Sequence, residues 1–182
     1  MRKELSAWIL QSLGWRVVKP DTLPRQYVIA VVPHTSNWDF PLGLLTRNAM
    51  GEDIKFVGKA SLFRWPIGGL FRWLGGYPVD RSQRNNYTEA VADIFRREPD
   101  FRLAIAPEGT RSKVDKLKTG FYYIAKAAGV PLLLCAFDYD KREVRISEPF
   151  FPTDDTEADF AHIYDFWKGV RGKNPANSFS PE

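Results

Sequence analysis

His34 and Asp39 stand five residues apart in the segment Pro33-His34-Thr35-Ser36-Asn37-Trp38-Asp39. On one continuous helix that offset would turn the two side chains about 140° apart. With His34 in a loop and Asp39 in the first turn of a helix, the carboxylate can instead accept a hydrogen bond from one imidazole nitrogen and leave the other to a substrate. A neutral imidazole held in this way takes a proton from a hydroxyl, and the carboxylate stabilises the imidazolium that forms. A plainer reading stands beside it, in which His34 closes a loop and Asp39 caps a helix. A covalent nucleophile is not evident. Cys135 lies in the apolar run Leu132 to Phe137, where a thiol is expected to be buried and unreactive, and Ser36 is too near His34 along the chain. Direct activation of an acceptor hydroxyl needs the fewest groups.

Two further segments carry charge beside small residues, Asp80-Arg81-Ser82 and Pro107-Glu108-Gly109-Thr110-Arg111-Ser112. Guanidinium forks suit bidentate phosphate recognition, so Arg81 and Arg111 aimed at one rim would bind a phosphate. Alternatively, Asp80 with Arg81 and Glu108 with Arg111 are ion pairs that stabilise loops. Glu108 also reads as a second acid. With a single His nearby, a metal site is not expected, and nothing calls for a cofactor.

These residues need a scaffold that gathers them. Tyr27 to Val32 and Leu132 to Tyr139 are short apolar runs of the kind that form buried parallel strands, and shorter strands are expected at Lys55 to Val57, Tyr77 to Val79, Arg102 to Ala106 and Glu143 to Ile146. Helices are expected at Arg2 to Val18, Asp39 to Met50, Tyr87 to Arg97 and Phe121 to Ala128, and from Thr156, read as its cap, through Trp167. Strands alternating with helices predict an α/β fold with a mostly parallel sheet flanked by helices, a single domain carrying an amphipathic N-terminal helix. The expected organisation is an N-terminal helix at 1–20, a main domain at 21–172 and a loose tail at 173–182. In such sheets ligands bind at the carboxyl ends of the strands, where the loops holding His34, Arg81 and Glu108 would meet.

Composition narrows the partners. The 182 residues fit one domain, and 44% hydrophobic with 26% charged residues excludes a disordered chain. One Cys excludes a disulfide framework and agrees with a reducing compartment. The aromatic share is 14%, with six Trp, and the net charge is +4. Charge is uneven: net +5 over residues 1–81, +2 over 82–150 and −3 over 151–182. A basic first half that carries five of the six Trp is compatible with an anionic membrane surface, a nucleic acid or a phosphorylated substrate. No reader motif for nucleic acid is present, and nucleic acid is not expected as a partner. No apolar stretch approaches the length of a membrane-spanning helix. The N-terminus lacks a small-x-small cleavage site and is expected to be retained.

Four ordered blocks resemble those of the phospholipid/glycerol acyltransferases, the family of the lysophosphatidic acid (1-acylglycerol-3-phosphate) acyltransferases. His34-Thr-Ser-Asn-Trp-Asp39 is similar to the family's His-x-x-x-x-Asp block. Lys59, Leu62, Pro66, Gly69, Gly76 and Pro78 before Asp80-Arg81 keep the order of its second block. Pro107-Glu-Gly-Thr-Arg-Ser112 resembles its third, and Gly129-Val-Pro131 the start of its fourth. The resemblance implies transfer of a fatty acyl group from a thioester donor, acyl-CoA or acyl carrier protein, to a hydroxyl of a lysophospholipid or glycerol-phosphate-like acceptor. His34 would be the general base and Asp39 its orienting partner. Arg81 would contact the acceptor phosphate, and Glu108, Gly109, Thr110 and Arg111 would shape the acceptor pocket. Ala106 replaces an aromatic residue common in the family, and Leu133-Leu134-Cys135 stands where a second proline is common. Acylation of a lyso lipid without phosphate is an alternative, as is a non-catalytic peripheral lipid-binding protein.

An enzyme of lipids that lacks a spanning helix must lie on the bilayer, here as a peripheral or monotopic protein of the cytoplasmic face. Two segments have the required character. The N-terminal helix carries Trp8, Ile9, Leu13 and Trp15 near Arg2, Lys3 and Arg16. Leu62 to Leu74 carries Trp65 and Trp73 with Arg64 and Arg72. Trp8, Trp65 and Trp73 are the expected membrane contacts, with core packing as the alternative for each segment.

Overall fold

The structure is a computed structural model that describes residues 3–59, 63, 64, 66–79 and 84–180. Among these residues seven strands form one sheet: β1 (Arg16–Val18), β2 (Tyr27–Val32), β3 (Ile54–Lys59), β4 (Gly76–Val79), β5 (Arg102–Ile105), β6 (Leu132–Asp138) and β7 (Glu143–Ile146), in the order β1-β7-β6-β2-β5-β3-β4. Neighbours run parallel except β6 and β7. Six α-helices accompany them: α1 (Lys3–Ser12), α2 (Asp39–Met50), α3 (Gly68–Trp73), α4 (Arg84–Arg97), α5 (Gly120–Ala128) and α6 (Thr156–Trp167). The fold is α/β, with a mostly parallel sheet flanked by helices.

The central strands are apolar except at Arg102 of β5 and Asp138 of β6, because both faces are covered. One face of β2, β5 and β6 presents Val28, Ala30, Val32, Leu103, Leu132 and Leu134 to a core shared with Val91 and Phe95 of α4, Phe121 and Ile124 of α5, and Ile163 and Trp167 of α6. The opposite face presents Ile29, Leu133, Cys135 and Phe137 to Leu10 of α1 and Leu42 and Met50 of α2. Successive side chains of one strand thus enter different cores, as the pleat requires. Helix α1 rests on α2 and adds Leu10 to the second core.

The parallel register brings the important loops to one rim. Val32 of β2 pairs with Ala136 of β6, and Ala30 pairs with Ile105 of β5. The segments beginning at Pro33, Ala106 and Tyr139 therefore leave the sheet side by side.

Three expectations are corrected. The helix expected to reach Val18 ends at Ser12. Gly14 takes φ +76° and turns the chain, and Arg16–Val18 becomes an edge strand parallel to β7, with Arg16 Nε 2.7 Å from Glu143 Oε2. Helix α6 is capped by Asp155 rather than Thr156, since Asp155 Oδ1 accepts the backbone N–H of Ala158 at 3.0 Å. The segment expected as a loose tail packs on the domain over residues 173–180: Pro175–Asn177 forms a short 3-10 turn and Phe179 is buried in the first core.

Candidate active site

His34 follows β2 in an irregular segment and Asp39 opens α2. Asp39 is 2% exposed. Its carboxylate does not cap α2, which begins after Trp38 without a side-chain cap. It turns back to the preceding loop, where Oδ2 accepts the backbone N–H groups of Thr35 and Ser36, both at 2.8 Å, and lies 3.3 Å from His34 Nδ1. Oδ1 accepts the hydroxyl of Tyr139 at 2.7 Å. Burial pushes the Asp39 carboxyl up, but hydrogen bonds from His34, Tyr139 and Ser36, with the attraction of His34, outweigh it and hold the group below its ordinary value. Asp39 is therefore an ionised carboxylate with donors on both oxygens. Its contact with Nδ1 leaves Nε2 as the imidazole nitrogen available to a substrate.

The loop after β5 completes the wall. Pro107, Gly109, Thr110 and Arg111 line the same cavity as His34 and Asp39. Gly109 adopts φ +66°, a left-handed conformation that favours glycine, and the flexible side chain of Lys118 lies against its open position. Glu108 points elsewhere: it is 2% exposed, and its Oε2 accepts the backbone N–H of His34 at 2.5 Å. Burial raises its carboxyl to about 7, opposed by the His34 hydrogen bond and charge and reinforced by Asp39. Arg81, with Asp80 and Ser82, and Trp65 lie outside the described residues.

The cavity has a volume of about 1200 Å³. From the His34 rim it runs inward between α2 and the sheet, past Phe40, Gly43, Leu44, Thr46 and Met50 on the helix and Ile29, Ile54, Ala104, Cys135 and Phe137 on the strands. Its walls are mostly apolar, with Thr46, Arg47 and Lys55 also among the lining residues, and its mouth carries His34, Thr110, Arg111, Ser112 and Lys118. The Cys135 thiol is buried, and burial pushes its pKa up, so it offers no thiolate.

The chain after α6 straps the site from outside. Asn174 donates its backbone N–H to Thr35 Oγ1 at 3.1 Å and its side-chain amide to the Thr35 carbonyl at 2.8 Å, while Asn177 Nδ2 donates to the Arg111 carbonyl at 3.1 Å. Both loops at the mouth are thus tied to one segment. Lys173 Nζ lies 5.5 Å from the ring centre of Trp38 and 5.8 Å from that of Tyr139. Tyr139 and the strap carry no motif in the sequence. The apolar strand ending in Asp138-Tyr139 was the one available signal.

The exposed apolar side chains are also grouped. Leu5, Trp8 (62% exposed) and Leu13 stand out from α1 and the turn after it, and Ile67, Leu70 and Trp73 (77% exposed) from α3 and the residue before it. Trp15, expected with Trp8, instead packs edge-on against Tyr139, ring centres 4.9 Å apart. Among the described residues no helix is long and apolar enough to cross a membrane.

Over 111 residues, 58% of this chain, the sequence is 33% identical to the 1-acyl-sn-glycerol-3-phosphate acyltransferase of Escherichia coli, and equally to that of Salmonella typhimurium. Over 105 residues it is 29% identical to a chloroplastic 1-acyl-sn-glycerol-3-phosphate acyltransferase of Brassica napus. The matched stretch spans 44% of the length of the two bacterial relatives and 30% of the plant protein. The sequence profile of the Acyltransferase family covers residues 14–138, which take in β1 through β6, both loops of the cavity mouth and the His34–Asp39 pair; the chain belongs to that family.

Proposed function

We propose that the protein is an O-acyltransferase that moves a fatty acyl group from a thioester, acyl-CoA or acyl carrier protein, to a hydroxyl of a lysophospholipid or glycerol-phosphate-like acceptor. The observation that carries this reading is the His34–Asp39 pair at the mouth of an apolar cavity, with Nδ1 on a buried carboxylate and Nε2 left for the acceptor. His34 Nε2 takes the proton of the acceptor hydroxyl as the oxygen attacks the thioester carbonyl. The tetrahedral intermediate collapses by breaking the carbon–sulfur bond, and the leaving thiolate takes the proton back from the imidazolium, giving an ester and a free thiol. Asp39 stabilises the imidazolium between the two transfers. The apolar interior receives the acyl chain, and Arg111, together with Arg81, meets the acceptor phosphate.

The enzyme works as a peripheral or monotopic protein on the cytoplasmic face of the membrane, with Trp8, Trp65 and Trp73 as its contacts. The exposure of Trp8 and Trp73 among other apolar side chains supports this placement.

The test is thioester consumption with 1-acylglycerol-3-phosphate and a panel of other lyso lipids, comparing the wild type with His34→Ala. The variant is expected to lose roughly 10²–10⁴-fold in rate while keeping its circular dichroism spectrum. A folded His34→Ala protein of undiminished activity would remove His34 as the base.

A further inference from the structure

Tyr139 is the first residue beyond the stretch that matches the acyltransferase family, and it leaves β6 on the rim where His34 leaves β2. Its hydroxyl donates to Asp39 Oδ1 at 2.7 Å, across 100 residues of chain. The other oxygen, Oδ2, serves the N–H groups of Thr35 and Ser36 and faces His34 Nδ1. Each oxygen of a buried carboxylate thus has its own donors, and the carboxylate plane is fixed from both ends.

Tyr139 is held in turn. The ring of Trp15 stands edge-on to it at an interplanar angle of 88°, and its backbone N–H donates to the Arg171 carbonyl at 2.9 Å. We propose that Tyr139 is a positioning residue of the active site: by fixing Asp39 Oδ1 it keeps the carboxylate turned toward His34 Nδ1, so that Nδ1 retains its proton and Nε2 stays presented to the acceptor hydroxyl. This inference rests on the reading of His34 as the base.

Loss of the hydroxyl leaves Oδ1 buried without a donor. The carboxylate then turns to share the Thr35 and Ser36 N–H groups between its oxygens, and the contact with Nδ1 loosens. Burial and the hydrogen bond to Asp39 push the Tyr139 phenol well above its ordinary value, so it remains a donor at any pH used to assay the enzyme. The other charged or titratable groups facing this network among the described residues are Glu108, on the backbone of His34, and Lys173, above the Tyr139 ring. Neither contacts Oδ1 in place of the phenol.

The experiment pairs Tyr139→Phe, which keeps the ring against Trp15, with the wild type, both labelled with ¹⁵N-histidine. In alkaline buffer, where an imidazole is neutral, the nitrogen shifts of His34 report its tautomer. The wild type is expected to show the Nδ1-protonated form, and Tyr139→Phe a mixture. His162 is the second of the two histidines in the chain and serves as an internal control. In the thioester assay Tyr139→Phe is expected to lower kcat roughly tenfold with KM little changed, because the lost interaction acts in the chemical step. Identical His34 nitrogen shifts, or an unchanged kcat in a variant whose shifts do change, would overturn the proposal. If His34→Ala proves fully active, the base reading fails on that arm. The tautomer comparison still decides whether Tyr139 positions the pair.

Discussion

Glu108 accepts the backbone N–H of His34 through Oε2 at 2.5 Å, joining residues 74 apart in the chain. The contact fixes the loop after β5 to the loop after β2 from beneath. The other oxygen, Oε1, is buried without a hydrogen-bond partner among the described residues. Burial raises the carboxyl from 4.5 to about 7. The folded state therefore holds a proton that the unfolded chain releases between those values. The stability tied to this proton is fully present below about pH 4.5 and lost as pH rises through about 7. Glu108→Gln keeps an acceptor for the His34 N–H and removes the titration. Denaturant unfolding at a series of pH values is expected to show the wild type losing stability relative to Glu108→Gln across this window, on the order of 3 kcal/mol in the limit. A difference that stays constant with pH would contradict the assignment.

The legibility of the fold follows from its periodicity. β2 and β6 are unbroken apolar runs because both of their faces are buried, and sequence alone delimits them. β1 was hidden because three residues after Gly14 continue the helical spacing of α1, and only pairing with β7 makes them a strand. The His34–Asp39 pair was legible because its chemistry and spacing are local. The roles of Glu108 and Tyr139 were not, since a carboxylate on a backbone N–H and a phenol on a carboxylate from 100 residues away leave no pattern in the chain. The segment after α6 looked loose for a related reason. Asn and Ser are common in unstructured tails, and here the Asn174 and Asn177 side chains bind backbone carbonyls of the site while Ser178 Oγ accepts the Gly172 N–H within the segment itself.

Gly43 lines the cavity on α2, and a Cβ placed on it would meet Phe137 Cζ at 3.6 Å. A first methyl is tolerated there, and glycine-to-alanine in a helix interior adds about 1 kcal/mol of helix stability. A larger side chain enters the space proposed for the acyl chain. Gly43→Leu is expected to discriminate against long-chain thioesters by roughly 10–200-fold relative to short ones, the range for filling an apolar pocket by a few carbons. Measuring kcat/KM over a series of acyl chain lengths tests this. A uniform loss at every length would place the acyl chain elsewhere.

Asn174 holds Thr35, a buried neighbour of His34, through two hydrogen bonds. Asn174→Ala removes the one made by the side-chain amide, and a loss of about 1 kcal/mol in stability is expected. Amide hydrogen exchange in residues 33–39 should quicken, because the strap no longer restrains that segment. Exchange unchanged there, with stability lost, would show that the strap supports the domain without restraining the loop.

Trp8 on α1 and Trp73 on α3 expose more than half of their surface beside Leu5, Leu13, Ile67 and Leu70, while Arg72 lies over the buried Phe63 ring at 5.7 Å. An indole at the level of the lipid headgroups contributes through its buried apolar area, and a neighbouring guanidinium adds attraction to anionic lipid. Flotation with liposomes of mixed neutral and anionic phospholipid should carry the wild-type protein upward. Trp8→Ala and Trp73→Ala are each expected to lower the partition coefficient by about tenfold, and the double variant by more than either, since the two helices would share one bilayer surface. High salt should weaken binding of all variants by screening the basic side chains. If one Trp matters and the other does not, the membrane contact is confined to that helix. If the double variant floats like the wild type, neither indole touches lipid and the membrane-facing surface lies elsewhere on the domain.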